Sequence, residues 1–312
     1  IGNPVAKIAG EKYDFIVMEL SSFQLYWAKK FRCDAAVVCN LAPDHIDWHG
    51  SYENYIKSKA NIIKCLNEGG AAIFQTRDAA DLEVSGDMLF PLSWGKVDKH
   101  QSGIYMDSEA KSAWINKGGC SEIHKLFDFE DVRLLGTHNL ENTAMSTAVL
   151  SLFDIDASKE SISSYVPPKH RCAFAGTVRE IKFVDDSKGT NVAATITAMS
   201  ALPGSKVIIL GGQGKGEDYA PLAEAVKKYT HSAVVIGAEK EKIAAALDRA
   251  DFKEYSFAGT MEEAVRAAYG KAQAGDTVLL SPACTSWDMY PNYGARGDDF
   301  CRAAKIIIAE EA

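Results

Sequence analysis

The chain has 312 residues, of which 47% are hydrophobic and 24% are charged, and its formal net charge is −8. This length is enough for two domains with sizeable cores, and the composition is typical of a soluble globular protein. The acidic balance, with a pI near 5.5, argues against a nucleic-acid-binding surface or a polybasic membrane surface, so we expect small molecules as partners.

No apolar run is long enough to span a bilayer, and no secretory signal segment is found at the start. The seven cysteines are scattered without a C-x-x-C pair, which favours reduced thiols over a disulfide framework or a zinc site. Both observations predict a cytoplasmic protein.

The first part of the chain alternates strand and helix signals. Strands are predicted at 13–20, 33–41 and 69–76, and helices at 51–66 and 139–153. Continuous apolar strands separated by helices indicate a mostly parallel sheet that is covered on both faces. Residues 77–135 are less regular and predict a hairpin excursion.

The segment "YVPPKHR" (165–171) is the predicted domain boundary, because two adjacent prolines bar continuation of a helix. The alternation then restarts and predicts a second, doubly wound α/β domain of Rossmann-like topology. Its strands are predicted near 178–185, 206–211, 232–237, 252–257 and 276–281, and its helices near 190–201, 218–229, 239–249, 260–273 and 297–310.

Polar side chains follow two predicted strands of the first domain. Glu19 ends the first strand, with Ser21 and Gln24 behind it, and "PDHID" places His45 beyond the next strand. An acid and an imidazole at adjacent strand ends are plausible ligands of a hard divalent cation. The alternative is that Ser21 caps a helix and that the second segment is a turn; for the two segments together we favour the cation site. Lys59, in the predicted helix, is by its spacing one of several solvated lysines.

Three further segments carry candidate binding groups. "LLGTHNLENTA" places Asn139 and Asn142 on one helix face, where they either bind a planar ring or a phosphate, or belong to a capped helix start. "LGGQGKGED" lacks the spacing of a P-loop, and its Lys215 either meets an anion or lies in a plain tight turn. The long loop in 279–300 follows a predicted strand end, which favours a functional loop.

The segment "FVDDSKGT" (183–190) runs from an apolar strand into two acids, a hydroxyl group, a lysine and a glycine before a helix starts. Such a cluster lies at the carboxyl edge of a sheet, where open α/β folds bind ligands.

Seven segments, taken in this order, together resemble the Mur ligases. They are "MELSSFQL", "NLAPDHIDWHGSYENYIKSKANI", "LLGTHNLENTAMS", "PPKHRCAFAG", "VDDSKGTN", "ILGGQGKGED" and "LLSPACTSWDMYPNYGARGDDF". "DSKGTN" and the last segment resemble the members that add D-glutamate rather than their sibling ligases. The resemblance spans the whole chain.

The resemblance implies three domains in the complete family member, of which this chain resembles only two. Residues 1–166 resemble the later part of the central ATPase domain, and residues 167–312 resemble the C-terminal domain that binds the amino acid. The N-terminal domain and the P-loop of the family would precede Ile1. We therefore expect a fragment that is inactive alone, and a monomer.

The resemblance further implies an ATP- and Mg²⁺-dependent reaction in peptidoglycan synthesis. In the implied reaction, ATP would phosphorylate the carboxylate of UDP-N-acetylmuramoyl-L-alanine, and the amine of D-glutamate would attack the acyl phosphate. The implied metal ligands are Glu19, His45 and Lys59, the last after carbamylation; His45 and Lys59 are also the implied catalytic residues. The implied nucleotide-binding residues are Asn139, Asn142, Arg171 and Asp186. The implied substrate-binding residues are Ser21, Gln24, His170, Lys188, Thr190, Lys215, Ser286 and Tyr293.

Two alternatives stay open at this point. One is another amide ligase of the same superfamily, such as a folylpolyglutamate-type enzyme, which also accepts an acidic amino acid. The other is a binding module of the same fold without catalytic activity.

Overall fold

The computed structural model describes residues 4–84, 88–134 and 136–311. The strands are β1 Cys33–Val38, β2 Leu66–Gln75, β3 Leu89–Trp94, β4 Gly103–Asp107, β5 Ser112–Asn116, β6 Ile123–Asp128, β7 Ala173–Val178, β8 Ile181–Asp185, β9 Lys206–Gly211, β10 Ser232–Ile236, β11 Tyr255–Phe257 and β12 Thr277–Leu280. The α-helices are α1 Ser22–Trp27, α2 Ile46–His49, α3 Tyr52–Lys64, α4 Thr137–Leu152, α5 Lys159–Ser163, α6 Val192–Ala201, α7 Ala220–Tyr229, α8 Lys240–Arg249, α9 Met261–Lys271 and α10 Tyr293–Glu311. Short 3-10 helices lie at Val5–Ile8, Thr76–Asp78, Cys120–Glu122 and Phe129–Asp131.

The chain divides into two compact units. The first contains the described residues of Ile1–Leu41, His49–Asp131 and Glu141–Lys159, and the second those of Ala42–Trp48, Val132–Leu140 and Glu160–Ala312. The domain boundary between residues 166 and 167 stays a prediction. None of the helices in the described ranges is both long and apolar enough to cross a membrane.

The sheet of the first unit has the order β1-β2-β3-β4-β5-β6. The first four strands are parallel neighbours, whereas β4, β5 and β6 pair antiparallel, as the predicted hairpin excursion requires. Leu25 of α1 and Ile62 of α3 pack on Ala36 of β1 and on Ala72 and Phe74 of β2. The apolar side of α3 is therefore the side that covers the sheet.

The predicted strand at 13–20 is wrong. These residues form no strand, and Val17 is 98% exposed. An apolar run becomes a strand only when a neighbouring strand takes up its backbone hydrogen bonds. Among the described residues, β1 lies at the edge of the first sheet and pairs only with β2, so the segment 13–20 has no such neighbour.

The sheet of the second unit has the order β11-β10-β9-β12-β8-β7 and is parallel except for the β7–β8 hairpin. Successive residues of β9 face opposite sides, as the two-residue period of a strand requires: Ile208 and Leu210 pack with α6, α7 and α8, whereas Val207 and Ile209 pack with α9 and α10. Helices thus cover both faces. The predicted fold class, mixed α/β with a doubly wound second sheet, is confirmed.

The position of β12 decides where the candidate site lies. Strands β8 and β9 follow one another in the chain but are not neighbours in the sheet. The last strand, β12, lies between them and pairs with both. Because these three strands are parallel, their carboxyl ends meet at one edge, and the order of strands reverses there. The segments at these strand ends are named here loop A (185–191) and loop B (211–217), which include the last residues of β8 and β9, and loop C (281–292), which follows β12.

Candidate functional site

Backbone hydrogen bonds join the three loops to one another. Gln213 of loop B and Thr285 of loop C exchange two bonds, with N···O distances of 3.0 and 2.9 Å. Ala283 of loop C donates to the carbonyl of Gly189 in loop A at 2.9 Å. Gly189 admits no side chain, since a Cβ there would lie 2.5 Å from Asp186 Oδ2 and 2.7 Å from Ser281 Oγ. The loops form one connected surface at the edge of the sheet.

The first acid of loop A, Asp185, is hydrogen bonded to the imidazole ring of His170. Its side chain is 1% exposed; Oδ2 lies 2.6 Å from His170 Nδ1, and Oδ1 accepts the N–H of Ser187 at 2.9 Å. His170 has a left-handed backbone with φ of 64°, which is uncommon for a residue with a side chain. The carbonyl of His170 accepts the N–H of Lys188 at 2.9 Å. The pair therefore fixes both the ring and the start of loop A.

The second acid, Asp186, is a buried carboxylate with neutral partners. Ser281 Oγ donates to its Oδ2 at 2.6 Å, and the N–H of Cys172 donates to its Oδ1 at 3.2 Å. Burial raises the pKa of Asp186 to about 6, and the hydrogen bonds from Ser281 and from the backbone and side chain of Cys172, with the nearby charge of Arg171, only partly oppose this rise. The charge of Arg171 thus acts on Asp186, and both residues are predicted to bind nucleotide.

We expect Asp186→Asn to stabilise the protein more at pH 8 than at pH 5. The folded protein holds the Asp186 proton up to about pH 6, whereas the unfolded chain releases it near the ordinary pKa of 3.8. The stability that this proton confers is therefore complete below pH 4 and is lost as the pH rises to 6, at a cost on the order of 3 kcal/mol. The melting temperatures of both proteins at the two pH values measure this effect. An equal difference at both pH values would contradict it.

Lys215 of loop B lies in an ion pair with a residue of the segment Ala42–Trp48. Its ammonium group is 2.7 Å from Asp44 Oδ1, and Asn191 Nδ2 donates to Asp44 Oδ2 at 3.0 Å. Burial alone would raise the pKa of Asp44, but the charge and hydrogen bond of Lys215, with His45 and Asn191, lower it. Asn191 also caps α6 through its Oδ1. The predicted anion-binding lysine is thus held by an anion of the chain itself.

Glu217 lies next to this pair. Its Oε2 accepts the N–H of Val192, the first residue of α6, at 2.9 Å. Burial, together with the nearby charge of Asp44, raises the pKa of Glu217 to about 7, although the hydrogen bond from Val192 and the charge of Lys215 oppose this rise. The sequence reasoning did not select Glu217; its position two residues after the lysine of a glycine-rich turn was the available signal.

The remaining predicted substrate-binding residues of this unit lie in loops A and C or at the start of α10. Lys188 Nζ lies 5.8 Å from the centroid of the Tyr293 ring, which in turn lies 6.2 Å from the His170 ring. Thr190 donates its N–H to the carbonyl of Lys188 at 2.9 Å. Ser286, buried at 2% exposure, accepts the N–H groups of two following residues on its carbonyl oxygen. Loop A therefore carries Lys188 and Thr190, loop B carries Lys215, and loop C carries Ser286.

The predicted residues of the first unit are in part helix-capping groups. Ser21 Oγ accepts the N–H of Gln24 at 3.2 Å, while Gln24 Oε1 accepts the N–H of Ser21 at 2.9 Å. This reciprocal pair caps α1, which is the capping alternative weighed for Ser21. Capping occupies these groups in the structure, and their role toward a substrate stays a prediction.

The charges of Glu19 and Lys59 both influence the pKa of the Cys39 thiol in the first unit. Burial raises the pKa of Cys39, the charge of Lys59 lowers it, and that of Glu19 raises it. The ammonium group of Lys59 lies 5.6 Å from the ring centroid of Tyr55. His45, the third predicted metal ligand, belongs to the second unit and has a left-handed φ of 54°.

These donors do not make a metal site as they stand. An ammonium group is no ligand for Mg²⁺, so Lys59 fits only after carbamylation. In residues 4–84, 88–134 and 136–311, no three His, Cys, Asp or Glu side chains are grouped so that they could hold a metal ion. The metal site stays a prediction, and we derive no step of the reaction through it.

Asn139 and Asn142 lie on α4, three positions apart. The N–H of Asn139 donates to the carbonyl of Gly136 at 3.1 Å, and the carbonyl of Asn142 accepts the hydroxyl of Ser146 at 2.9 Å. The two residues belong to different compact units, the second and the first respectively. Their predicted role in nucleotide binding is not tested by these contacts.

Two family profiles and several curated relatives match this chain. The profile of the Mur ligase middle domain matches residues 3–150, and that described as "Mur ligase, glutamate ligase domain" matches residues 170–284. The UDP-N-acetylmuramoylalanine–D-glutamate ligase of Natranaerobius thermophilus is 35% identical over 96% of this chain and 65% of its own length. That of Methylobacillus flagellatus is 34% identical over 100% of this chain and 68% of its own length. The chain belongs to the Mur ligase family.

This Mur ligase chain spans only about two thirds of the length of these curated relatives. Solved structures show the same fold at low identity. The MurF ligase of Thermotoga maritima, crystallised with ADP, has a TM-score of 0.63 and 17% identity, over 90% of this chain and 64% of that chain. The folylpolyglutamate synthase of Mycobacterium tuberculosis, complexed with ADP and AMPPCP, has a TM-score of 0.58 and 14% identity, over 86% and 64%.

Proposed function

We propose that the complete protein carrying this chain is an ATP-dependent ligase that joins D-glutamate to UDP-N-acetylmuramoyl-L-alanine in the cytoplasm. The relatives that bear this name match nearly the whole chain at about 35% identity, whereas the folylpolyglutamate synthase shares only the fold at 14%. This difference favours a muramoyl ligase over the folylpolyglutamate-type alternative. The proposal covers the substrates, ATP and Mg²⁺, and a monomeric state.

The observation that carries the proposal is the meeting of loops A, B and C at one edge of the second sheet. They bring two lysines, Lys188 and Lys215, and the hydroxyl-bearing Ser286 to a surface that backbone hydrogen bonds hold together. Two cations suit a dicarboxylate acceptor, because they neutralise its acids and leave its amine free to attack. Lys215 would exchange Asp44 for a carboxylate of the acceptor.

The proposed reaction passes through an acyl phosphate. ATP transfers its terminal phosphoryl group to the alanine carboxylate, ADP leaves, and the acceptor amine then displaces phosphate to form the amide. The residues of this chain contribute by positioning: Arg171 and Asp186 toward the nucleotide, and Lys188, Thr190, Lys215, Ser286 and Tyr293 toward the acceptor. Ser21 and Gln24 are the proposed contacts of the muramoyl substrate, and His170 is proposed to act with Arg171 in the nucleotide region. The bound metal would neutralise phosphate charge.

The decisive experiment measures ATP-dependent phosphate release by the complete gene product with UDP-N-acetylmuramoyl-L-alanine. We expect release with D-glutamate, and at least about a hundredfold less with L-glutamate or without an acceptor, because the loop cations must engage both carboxylates of one stereoisomer. Release with L-glutamate and a folate substrate would favour the folylpolyglutamate-type ligase. No release with any acceptor would favour the non-catalytic binding module.

A further inference from the structure

Arg296, on the first turn of α10, is among the most deeply buried side chains of the structure. It is 1% exposed, and its burial lowers the pKa of its guanidinium group to about 10. Bringing a guanidinium ion out of water is costly unless it is fully hydrogen bonded. Arg296 has no place among the predicted site residues or in the proposed mechanism.

Among the described residues, the groups that accept hydrogen bonds from Arg296 are one hydroxyl and two backbone carbonyls, and none of them is a carboxylate. Its Nε donates to Ser187 Oγ at 3.0 Å and one terminal nitrogen donates to Ser187 O at 2.8 Å, both in loop A. The other terminal nitrogen donates to Thr285 O in loop C at 3.1 Å. One planar group thus spans two loops that are 98 residues apart in the chain.

Loop B also packs on this guanidinium. A Cβ on Gly212 would lie 3.1 Å from a terminal nitrogen of Arg296, so the backbone of loop B approaches the group closely only because residue 212 is glycine. The bonded carbonyls belong to the residues that directly precede Lys188 and Ser286. The guanidinium therefore sets the spacing between two of the proposed acceptor contacts.

We infer that Arg296 is a positioning residue of the proposed acceptor site, acting as a fork that holds loop A against loop C. The inference rests on the proposed function for its substrate and on the hydrogen bonds for its geometry. A lysine keeps the charge but cannot donate to two carbonyls and a hydroxyl in one plane. Hence Arg296 contributes the planar arrangement of its N–H donors, and not its charge alone.

The first test compares Michaelis constants of the complete gene product. We expect Arg296→Lys and Arg296→Gln each to raise the KM for D-glutamate about tenfold or more, since charge-assisted hydrogen bonds are lost, while the KM values for ATP and UDP-N-acetylmuramoyl-L-alanine change less than about twofold. Arg302→Lys is the matched control, because Arg302 lies exposed on the same helix and hydrogen-bonds to Asp299 and Glu262. It should leave all three KM values unchanged.

Two outcomes would overturn the inference. Full retention of the D-glutamate KM by Arg296→Lys would show that charge suffices, and an equal rise of all three KM values would show a general loss of structure. If the Arg296 variants do not fold, Ser187→Ala is the milder test, because it removes only the hydroxyl that accepts a hydrogen bond from Arg296 Nε. It should then raise the D-glutamate KM about threefold, and an unchanged value would count against the fork.

A second readout needs no turnover. Hydrogen–deuterium exchange of the complete protein should be about tenfold faster in loops A and C of Arg296→Lys than in the wild type, while α9 stays unchanged. Unchanged exchange in both loops would overturn the fork even if the wild-type protein proves inactive. Inactivity of the wild type with every acceptor would instead overturn the proposed function, so the two failures are distinguishable.

Discussion

Replacing Gly297 by alanine is expected to lower the melting temperature of the protein by roughly 5–10 °C, which corresponds to about 2–3 kcal/mol. Gly297 lies on the first turns of α10, and a Cβ there would overlap with His170 Nδ1 and lie 2.8 Å from Asp185 Oδ2. Asp185 has little room to move, because it is 1% exposed and also accepts the N–H of Ser187, so the His170 ring is the neighbour that must shift. The ring must leave its carboxylate, and Asp185 is then buried with one partner fewer.

Gly270→Ala is the matched control for this substitution. Gly270 is an exposed helical residue near the end of α9, and a Cβ there meets no atom within 4 Å. Alanine should therefore raise the melting temperature slightly. It lowers the backbone entropy of the unfolded chain, which stabilises the folded protein by about 0.5–1 kcal/mol. Thermal unfolding followed by circular dichroism checks both. Equal behaviour of the two variants would show that His170 and Asp185 do not restrict position 297.

Lys215→Met is expected to act on both stability and acceptor binding. It leaves the partly buried Asp44 opposite an apolar side chain; breaking a fully buried ion pair on one side costs about 3–5 kcal/mol, and we expect a smaller loss here because the Asp44 side chain is 17% exposed. In the complete enzyme we expect the KM for D-glutamate to rise about 30-fold or more, since a cation opposite the acceptor carboxylate is lost. The KM for ATP should change much less. Melting temperatures and steady-state kinetics measure the two effects.

A second substitution separates the two effects of Lys215→Met. Adding Asp44→Asn removes the unpaired charge, so the double variant should recover much of the melting temperature but not the KM for D-glutamate. Lys242→Met is the surface control, because Lys242 pairs with Glu239 at 2.9 Å but has a side chain that is 73% exposed. Recovery of both properties in the double variant would remove Lys215 from the acceptor site.

The second domain shows how far local pattern predicts structure. Its predicted strand at 206–211 coincides with β9, and the predicted helices lie within a few residues of α6 to α10. Each is a continuous apolar run or an amphipathic run bounded by turn residues, and both patterns are properties of adjacent positions in the chain. The polar ends of β8, β9 and β12 were likewise visible in the sequence as candidate ligand loops.

The segment 13–20 shows where local pattern fails. Its apolar composition equals that of a buried strand, yet Val17 is 98% exposed because no described strand pairs with this segment. Strand β7 (Ala173–Val178) was missed for a related reason, since the predicted strand near 178–185 covers β8 and only the last residue of β7. Pairing depends on a partner elsewhere in the chain, which periodicity does not encode.

By itself, the sequence determined the α/β class, most elements of the second domain and the loops that carry polar groups, because these follow from composition and periodicity over short stretches. Only the tertiary structure decided that β12 lies between β8 and β9, that Lys215 meets Asp44 across 171 positions, and that Arg296 joins loops A and C. Such contacts arise when distant segments pack against one another, so no local pattern contains them. The metal, nucleotide and acceptor roles of the predicted residues rest on the family resemblance and stay predictions for the kinetic tests.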